Sequence, residues 1–193
     1  MPTPDPAPTP GFKQALMNAM TDGGITDPDE RAMIAAIAGG ETGGVPRTEM
    51  SYAHTSNSRL RQLFGGRLPP DDNALTALKA DDVQFFNAVY GGRYGNRPGT
   101  DDGFTYRGRG PFQLTFRGNY ASIGAAIDQD LVADPDLVND LNIGAKTVVA
   151  YIHSRYRGGG FQAMLDCVGY NVPDIAARKQ QLYAQFSASG EFA

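Results

Sequence analysis

Residues 27–44, with the sequence DPDERAMIAAIAGGETGG, decide the fold of this chain. Asp27 can cap a helix, Pro28 suits the first helical position, and Glu30 completes a capping box three residues after the cap. Apolar side chains then recur at helical spacing, and the glycine pair at 39–40 disturbs the end of the helix. The stretch therefore predicts a mainly helical protein built around one apolar helix.

Glu41 follows the glycine pair and extends the apolar stripe of that helix, because it lies three and four residues after Ala38 and Ile37. A carboxyl at the end of such a stripe is partly desolvated, and desolvation favours the protonated form that a general acid needs. The four flanking glycines would let a bulky ligand approach the backbone. An exposed glutamate at an ordinary helix end is the alternative.

The rest of the chain alternates helical segments with glycine-rich loops. Residues 1–11 contain five prolines and predict a flexible arm, which leaves 12–193 as one catalytic domain. Any sheet should be small and lie between 91 and 116, so the predicted fold class is mainly α, or α+β with a minor sheet. Spacing and capping residues predict further helices at 12–20, 56–64, 81–90, 119–127, 142–157, 161–168 and 173–186.

The composition excludes several classes of protein. With 193 residues and 41% hydrophobic residues, the chain is long enough for one domain with a core. No apolar run approaches the roughly 18 residues of a membrane span, and the first residues lack the basic and apolar regions of a secretion signal. The single cysteine, Cys167, excludes an internal disulfide and a multi-cysteine metal site. We therefore expect no cofactor, no metal ion and no membrane span.

The charge of the chain is unevenly distributed. The net charge is −4 and the pI is about 5.1, which argues against a polycation that binds nucleic acid. Residues 47–117 nevertheless contain ten basic and seven acidic residues, a net charge of +3. Chance scatter on a solvated surface and a cationic lobe facing an acid-decorated substrate both explain this bias.

Glu49 is the second carboxylate of interest, eight residues after Glu41 and beyond the glycines at 43–44. A loop between them lets the two side chains face each other across a gap. Glycosidic bond cleavage needs two carboxyl groups in different environments, one to protonate the leaving oxygen and one to activate water. The spacing alone is weak evidence, since the 21 acidic residues generate many such pairs.

Three segments together resemble glycoside hydrolase family 19, which includes chitinases and phage endolysins. They are GETGG at 40–44, EMSY at 49–52 and GRGPFQLTFRGNY at 108–120, and the third is the most specific. The resemblance covers roughly residues 12–185. It implies a lysozyme-like, mostly helical fold with two lobes and a central substrate cleft.

The resemblance also implies roles for individual residues. Glu41 stands at the position of the general acid, Glu49 near that of the general base, and Thr115 at that of a hydroxyl residue that helps to hold the attacking water. Gln113 and Asn119 match polar residues that line the cleft. The family is inverting, so the water must attack from the face opposite the leaving group.

Four further residues are predicted to bind substrate. Tyr94 and Tyr106 lie in the glycine-rich region, where aromatic rings either stack on sugars or pack in the core. Arg109 can bind a carboxylate of peptidoglycan or form a structural ion pair with a cleft glutamate. Asn171 takes the place of an asparagine that the family often carries near its C-terminus.

The resulting hypothesis is a peptidoglycan hydrolase of the endolysin type. A monomer would cleave the β-1,4 bond between N-acetylmuramic acid and N-acetylglucosamine. Because no secretion signal is visible, we expect it in the cytoplasm of a bacterial host, with release to the wall by a separate pore-forming protein. A chitinase that hydrolyses N-acetylglucosamine polymers is the main alternative. A non-catalytic glycan-binding module would require the loss of the acid or the base, and both are present.

Overall fold

A computed structural model describes residues 8–168 and 173–193, and within these ranges the chain forms ten α-helices joined by loops. The helices are α1 (Pro10–Asp22), α2 (Pro28–Thr42), α3 (Asn57–Phe64), α4 (Asp72–Lys79), α5 (Asp82–Tyr90), α6 (Asp102–Thr105), α7 (Arg117–Ala126), α8 (Leu141–Arg155), α9 (Gly160–Val168) and α10 (Pro173–Ser189). The predicted mainly α fold class is confirmed. None of the helices in these ranges is both long and apolar enough to cross a membrane.

Helix α2 lies at the centre of the larger lobe. The Asp27 carboxylate caps it by accepting the backbone N–H groups of Asp29 at 2.8 Å and Glu30 at 3.4 Å. Every residue from Ala32 to Gly40 is buried, since α1, α8, α9 and α10 all contact this helix. Their shared core includes side chains from all five helices, among them Phe12, Leu16, Ile34, Ile37, Val148, Met164, Leu182 and Phe186.

The glycine pair at 39–40 does not disturb the end of α2, contrary to the prediction. The helix runs through both residues to Thr42 and stops at Gly43, whose φ of 66° is left-handed. Gly40 lies against the side chain of Lys179 from α10, and a Cβ atom at Gly40 would overlap that side chain. The missing side chain therefore makes room for a lysine of another helix and does not serve to end α2.

A smaller lobe and a third cluster complete the fold. Helices α3, α4 and α5 share an aromatic-rich core of Leu60, Leu68, Leu75, Phe85, Phe86 and Val89. The third cluster lies below the loop that leads into α7 and contains Tyr106, Leu114, Tyr120, Ile123, Leu131 and Val138. This arrangement agrees with the two-lobed fold that the resemblance implied.

The small sheet expected between 91 and 116 is reduced to one isolated antiparallel bridge in the described ranges. Arg109 and Leu114 exchange backbone hydrogen bonds at 3.1 and 2.8 Å. Gly110 and Gln113, both with positive φ, turn the chain back within four residues, so no ladder extends from this bridge. Strand pairing in the described ranges is thus limited to a bridge inside the predicted region, as expected for a mainly α fold.

The start of one helix and the presence of another also differ from the sequence prediction. Helix α1 begins at Pro10, so the last two residues of the proposed arm are helical, while residues 1–7 lie outside the described ranges. Helix α4 was not predicted, because Leu75 and Leu78 are too few apolar positions to show a helical period in eight residues. Asp71 caps it by accepting the N–H of Ala74 at 2.8 Å.

Candidate active site

A cleft of about 570 Å³ separates the two lobes. The larger lobe contributes residues of α2, α8, α9 and α10, and the smaller lobe contributes residues of α3 and α5. The loop at 108–116 forms the floor that joins them. Five of the residues predicted for the site line this cleft, namely Glu41, Glu49, Gln113, Thr115 and Asn119. Sequence reasoning thus selected residues from three separate segments that the fold brings to one place.

Glu41 lies in the last turn of α2, with its side chain 15% exposed, which agrees with a partly desolvated carboxyl. Its Oε1 accepts a hydrogen bond from Nζ of Lys179, a side chain with no exposed surface. Among the described residues, none donates a hydrogen bond to Oε2. One oxygen of Glu41 is therefore held by a buried cation, while the part of the chain that the structure describes leaves the other without a donor.

Glu49 lies in the loop between α2 and α3, and its hydrogen-bond donors among the described residues are all uncharged. Its Oε1 accepts from the hydroxyls of Tyr52 and Tyr90, each at 2.9 Å. Its Oε2 accepts from the backbone N–H of Gly108 at 3.1 Å, and its own N–H donates to the Gly108 carbonyl at 2.7 Å. Burial raises the pKa of the Tyr90 hydroxyl, and the charge of Glu49 raises it further, so this donor keeps its proton.

The floor of the cleft is stabilised by its own polar side chains. The Gln113 amide nitrogen donates to the carbonyls of Arg47 at 2.7 Å and Gly110 at 3.2 Å. The Thr115 hydroxyl donates to the Gln113 carbonyl at 2.9 Å, and the Asn119 amide donates to the Thr115 carbonyl at 2.7 Å. These bonds leave the side-chain oxygens of Gln113 and Thr115 able to accept hydrogen bonds from a ligand or water.

The backbone of this floor is strained. Gln113 and Phe116 have φ values of 53° and 76°, which side-chain-bearing residues rarely adopt. Such strain costs on the order of 1–3 kcal/mol per residue and is concentrated at functional sites. Two such residues within four positions of the cleft floor indicate a loop whose shape serves a ligand.

A sequence model of a protein family and a similar bacterial protein both match this chain, and they indicate the same family. The sequence model of the chitinase class I family matches residues 87–156. A glycosyl hydrolase family 19 domain-containing protein of Haemophilus influenzae is 31% identical over 144 residues, which cover 73% of this chain and 70% of that protein.

The chain belongs to glycoside hydrolase family 19.

An acidic endochitinase of Petunia hybrida is 48% identical over 111 residues, which cover 57% of this chain and 38% of the plant protein. An acidic endochitinase Q of Nicotiana tabacum is 52% identical over 50 residues, covering 25% of this chain and 20% of that protein. The chain thus spans well under two thirds of these plant relatives. As a family 19 member it is a glycoside hydrolase, which agrees with the enzyme class predicted from its motifs.

The structure places two predicted substrate-binding residues of this family 19 domain in its interior. Tyr106 is buried against Tyr120, and its hydroxyl donates to the Val132 carbonyl at 3.2 Å. Arg109 is also buried, and its Nε donates to the Asp136 carboxylate at 2.6 Å. The predicted substrate contacts of these two residues are therefore replaced by structural ones. The partner of Arg109 is an aspartate, not a cleft glutamate.

The remaining two predicted residues lie apart from the cleft floor. Tyr94 is 69% exposed, packs on Phe116 with ring centroids 4.8 Å apart and does not itself line the cleft. Its φ of 42° is a further strained backbone angle. Asn171 lies outside the described residues. A role for Tyr94 in binding glycan stays a prediction.

Sequence reasoning missed three residues that contact the two carboxylates. Tyr52 was quoted only as part of the EMSY motif, Tyr90 only as the last residue of the predicted helix at 81–90, and Lys179 not at all. Lys179 continues an apolar stripe with Leu182 and Phe186 at helical spacing, and a lysine in such a stripe signals a buried ion pair. No three metal-ligating side chains come together among the described residues.

Proposed function

We propose that this chain hydrolyses peptidoglycan, cleaving the β-1,4 bond between N-acetylmuramic acid and N-acetylglucosamine with inversion at the anomeric carbon. The observation that carries this proposal is the pair Glu41 and Glu49 lining one cleft, with Glu41 held by Lys179 and Glu49 held by two tyrosine hydroxyls and the Gly108 N–H. Two such carboxyl groups can protonate a leaving oxygen and activate water on the opposite face.

In this mechanism Glu41, which is paired with Lys179 in the unliganded protein, takes up a proton before the chemical step, donates it to the glycosidic oxygen and returns to the carboxylate form. The ammonium group of Lys179 in contact with it stabilises that developing charge. Glu49 begins as a carboxylate and takes a proton from water, and Thr115, whose hydroxyl can accept from that water, helps to orient it. The two steps occur together, so the water replaces the leaving sugar and the configuration inverts.

Arg47 favours peptidoglycan over chitin as the substrate. It is the one basic residue among the described cleft-lining residues, and in those ranges no acidic side chain pairs with its guanidinium. Peptidoglycan carries lactyl and peptide carboxylates, whereas chitin is uncharged, and a guanidinium binds carboxylates through paired hydrogen bonds. The petunia and tobacco relatives are named endochitinases, so chitin is the second candidate.

The deciding assay offers purified peptidoglycan sacculi and chitin oligomers to the same preparation. We expect new reducing ends from sacculi, and NMR of the first products should show the inverted anomer. Reducing ends from chitin alone would replace the proposed substrate, retained anomers would exclude the inverting mechanism, and an anhydro ring would identify a transglycosylase.

The contribution of Arg47 is tested by Arg47→Ala, with Arg59→Ala as the control of equal charge, because Arg59 is exposed on α3 and does not line the cleft. A charged hydrogen bond contributes about 1.5–3 kcal/mol, so we expect a loss of at least about tenfold in kcat/KM on sacculi. The chitin rate should not change. Equal effects of the two variants would mean that Arg47 does not recognise the substrate.

For this endolysin function we further propose that the enzyme acts as a monomer and reaches the wall from the bacterial cytoplasm through a separate pore-forming protein. Sedimentation of the purified chain measures the first point. Expression in bacteria with and without a pore-forming protein measures the second, and lysis that does not depend on the pore would contradict it.

A further inference from the structure

We propose that Tyr52 and Tyr90 are positioning residues that make Glu49 a one-sided base, in which Oε2 alone takes the proton from water. This inference rests on the proposed glycosidase function and specifies which atom performs its base step. It assigns a role to two hydroxyls that are otherwise unexplained.

The first support is a count of the acceptor sites on the carboxylate. An ionised carboxylate has about four lone-pair sites, two on each oxygen. The two tyrosine hydroxyls occupy both sites of Oε1, each at 2.9 Å. On Oε2 the Gly108 N–H occupies one site at 3.1 Å, and no other described residue donates to it. The remaining acceptor site is therefore on Oε2.

The second support is the rigidity of the two donors. Tyr52 packs against Phe64 and Phe85 with ring centroids 5.3 Å apart in both cases. Tyr90 stacks on Phe86 at 6.0 Å and meets the edge of Phe116 at 5.3 Å. Rings packed in this way hold their hydroxyls in place, so the aromatic core of the smaller lobe sets the orientation of the carboxylate.

The third support is the close approach of Gly108 to Oε2. A Cβ atom at Gly108 would lie 3.3 Å from Oε2 of Glu49 and 2.8 Å from Oε1 of Gln113, so both oxygens lie directly against this glycine. The φ of Gly108 is not left-handed, so the close approach, not the backbone conformation, is what requires glycine here. Glu49, Gly108 and Gln113 all line the cleft, and a water molecule in the cleft can donate one hydrogen bond to each of the two acceptor oxygens.

Among the described residues, Arg107 and Arg67 act on this cluster, Arg47 and Glu41 line the same cleft, and all four are unchanged in the variants below. Burial lowers the pKa of Arg107, and the charge of Glu49 opposes that effect. Arg67 slightly offsets the burial that raises the pKa of Tyr90. Because these four residues stay in place, changes seen on removing a hydroxyl report on the hydroxyl itself.

The main test uses Tyr52→Phe, Tyr90→Phe and the double variant, with kcat, KM and the rate–pH profile measured on sacculi. Removing a donor disfavours the ionised base. We therefore expect the acid limb of kcat to move to higher pH, kcat to fall about tenfold per hydroxyl, and KM to stay within about twofold. The matched control is Tyr183→Phe, because that hydroxyl donates at 2.7 Å to Asp29 outside the cleft. It should leave all three quantities unchanged.

Gly108→Ala tests this close approach directly. The added methyl group would overlap Oε1 of Gln113 and press against Oε2 of Glu49, which displaces both acceptors, so we expect kcat to fall about a hundredfold while thermal unfolding shows a folded protein. A folded Gly108→Ala enzyme with wild-type kcat would overturn the assignment of Oε2. So would a double tyrosine variant with an unchanged pH profile.

A readout independent of turnover separates this inference from the proposed function. Carbon-13 NMR of the glutamate side chains follows the ionisation of Glu49 in the unliganded protein. We expect its midpoint to move to higher pH in both tyrosine variants and not in Tyr183→Phe. A wild-type protein that cleaves neither glycan would reject the function alone, whereas an unmoved midpoint would reject the role of the tyrosines.

Discussion

The end of helix α2 and the loop that follows it give their carboxylates opposite surroundings. Glu41 touches the buried ammonium of Lys179, whereas Glu49 is held by two phenols and a backbone N–H. In the proposed mechanism the first group ends the bond cleavage charged and the second ends it neutral. A cation beside Glu41 stabilises the carboxylate that forms there, whereas a cation beside Glu49 would oppose its protonation, because a nearby opposite charge favours the ionised state. The partners, not the carboxyl groups themselves, therefore divide acid from base.

The largest effect should come from removing either carboxyl. Glu41→Gln and Glu49→Gln should each lower kcat by about 10³-fold, because each step of acid–base catalysis contributes on this scale. Steady-state rates on sacculi measure this. Glu191→Gln, which only breaks the surface pair with Lys13, is the control and should be fully active. A Glu49→Gln enzyme with more than a tenth of normal kcat would assign the base elsewhere.

The same two variants should differ in stability. Glu41→Gln leaves the ammonium of Lys179 buried without an anion, so we expect a loss of about 3 kcal/mol in the free energy of unfolding. Glu49→Gln keeps an oxygen that can accept from the tyrosines, and we expect a loss below about 1 kcal/mol. Urea denaturation measures both.

A second substitution completes this test of the ion pair. Lys179→Met added to Glu41→Gln removes the uncompensated charge and should restore most of the lost stability without restoring turnover. Equal losses of stability in the two glutamine variants, or no recovery in the double variant, would mean that the ion pair with Lys179 does not make the surroundings of Glu41 and Glu49 differ in stability.

A smaller effect on kcat is expected at Thr115, which we propose to orient the water molecule that Glu49 deprotonates. Thr115→Ala should lower kcat about tenfold, since a single orienting hydrogen bond contributes about 1.4 kcal/mol. Thr115→Ser keeps the hydroxyl and should stay within about threefold of the wild-type rate. If the two substitutions slow the enzyme equally, loss of packing rather than loss of the hydroxyl is responsible.

The smallest expected effect is on stability at low pH. It comes from a third carboxylate, Asp102, which pairs with the largely exposed Arg97. Hydrogen bonds from Arg97, 62% exposed, hold the pKa of Asp102 at about 2, below its usual 3.8. A depressed pKa contributes stability above the unfolded value, and this is lost as the pH falls from about 4 to about 2. With a solvated partner we expect about 1 kcal/mol.

The measurement is urea denaturation at several pH values, with Asp102→Asn as the reference. The variant should lack this part of the acid destabilisation. If the wild-type protein and the variant lose stability in parallel between pH 4 and pH 2, Asp102 does not contribute to the loss of stability in acid.

Features that depend on residues close together in the chain were predicted correctly, whereas contacts between distant residues were not. The Asp27 cap and the apolar stripe of α2 are local, and the structure has both. The motif at 108–120 placed Gln113 and Thr115 on the cleft floor. Tyr106 and Arg109 were placed in the cleft incorrectly, because a glycine-rich loop does not reveal which of its side chains turn inward.

The amino-acid sequence by itself determined the helical class and the central helix, because periodicity and caps act between neighbours in the chain. The resemblance of its motifs to family 19 selected the two carboxyl groups to compare. Only the tertiary structure decided what each carboxyl touches. Lys179 reaches Glu41 across 138 residues, and Tyr90 reaches Glu49 across 41. The apolar stripe of α10 indicates that Lys179 is buried in an ion pair, but the partners in these contacts depend on how the helices pack, and no local pattern in the sequence identifies them.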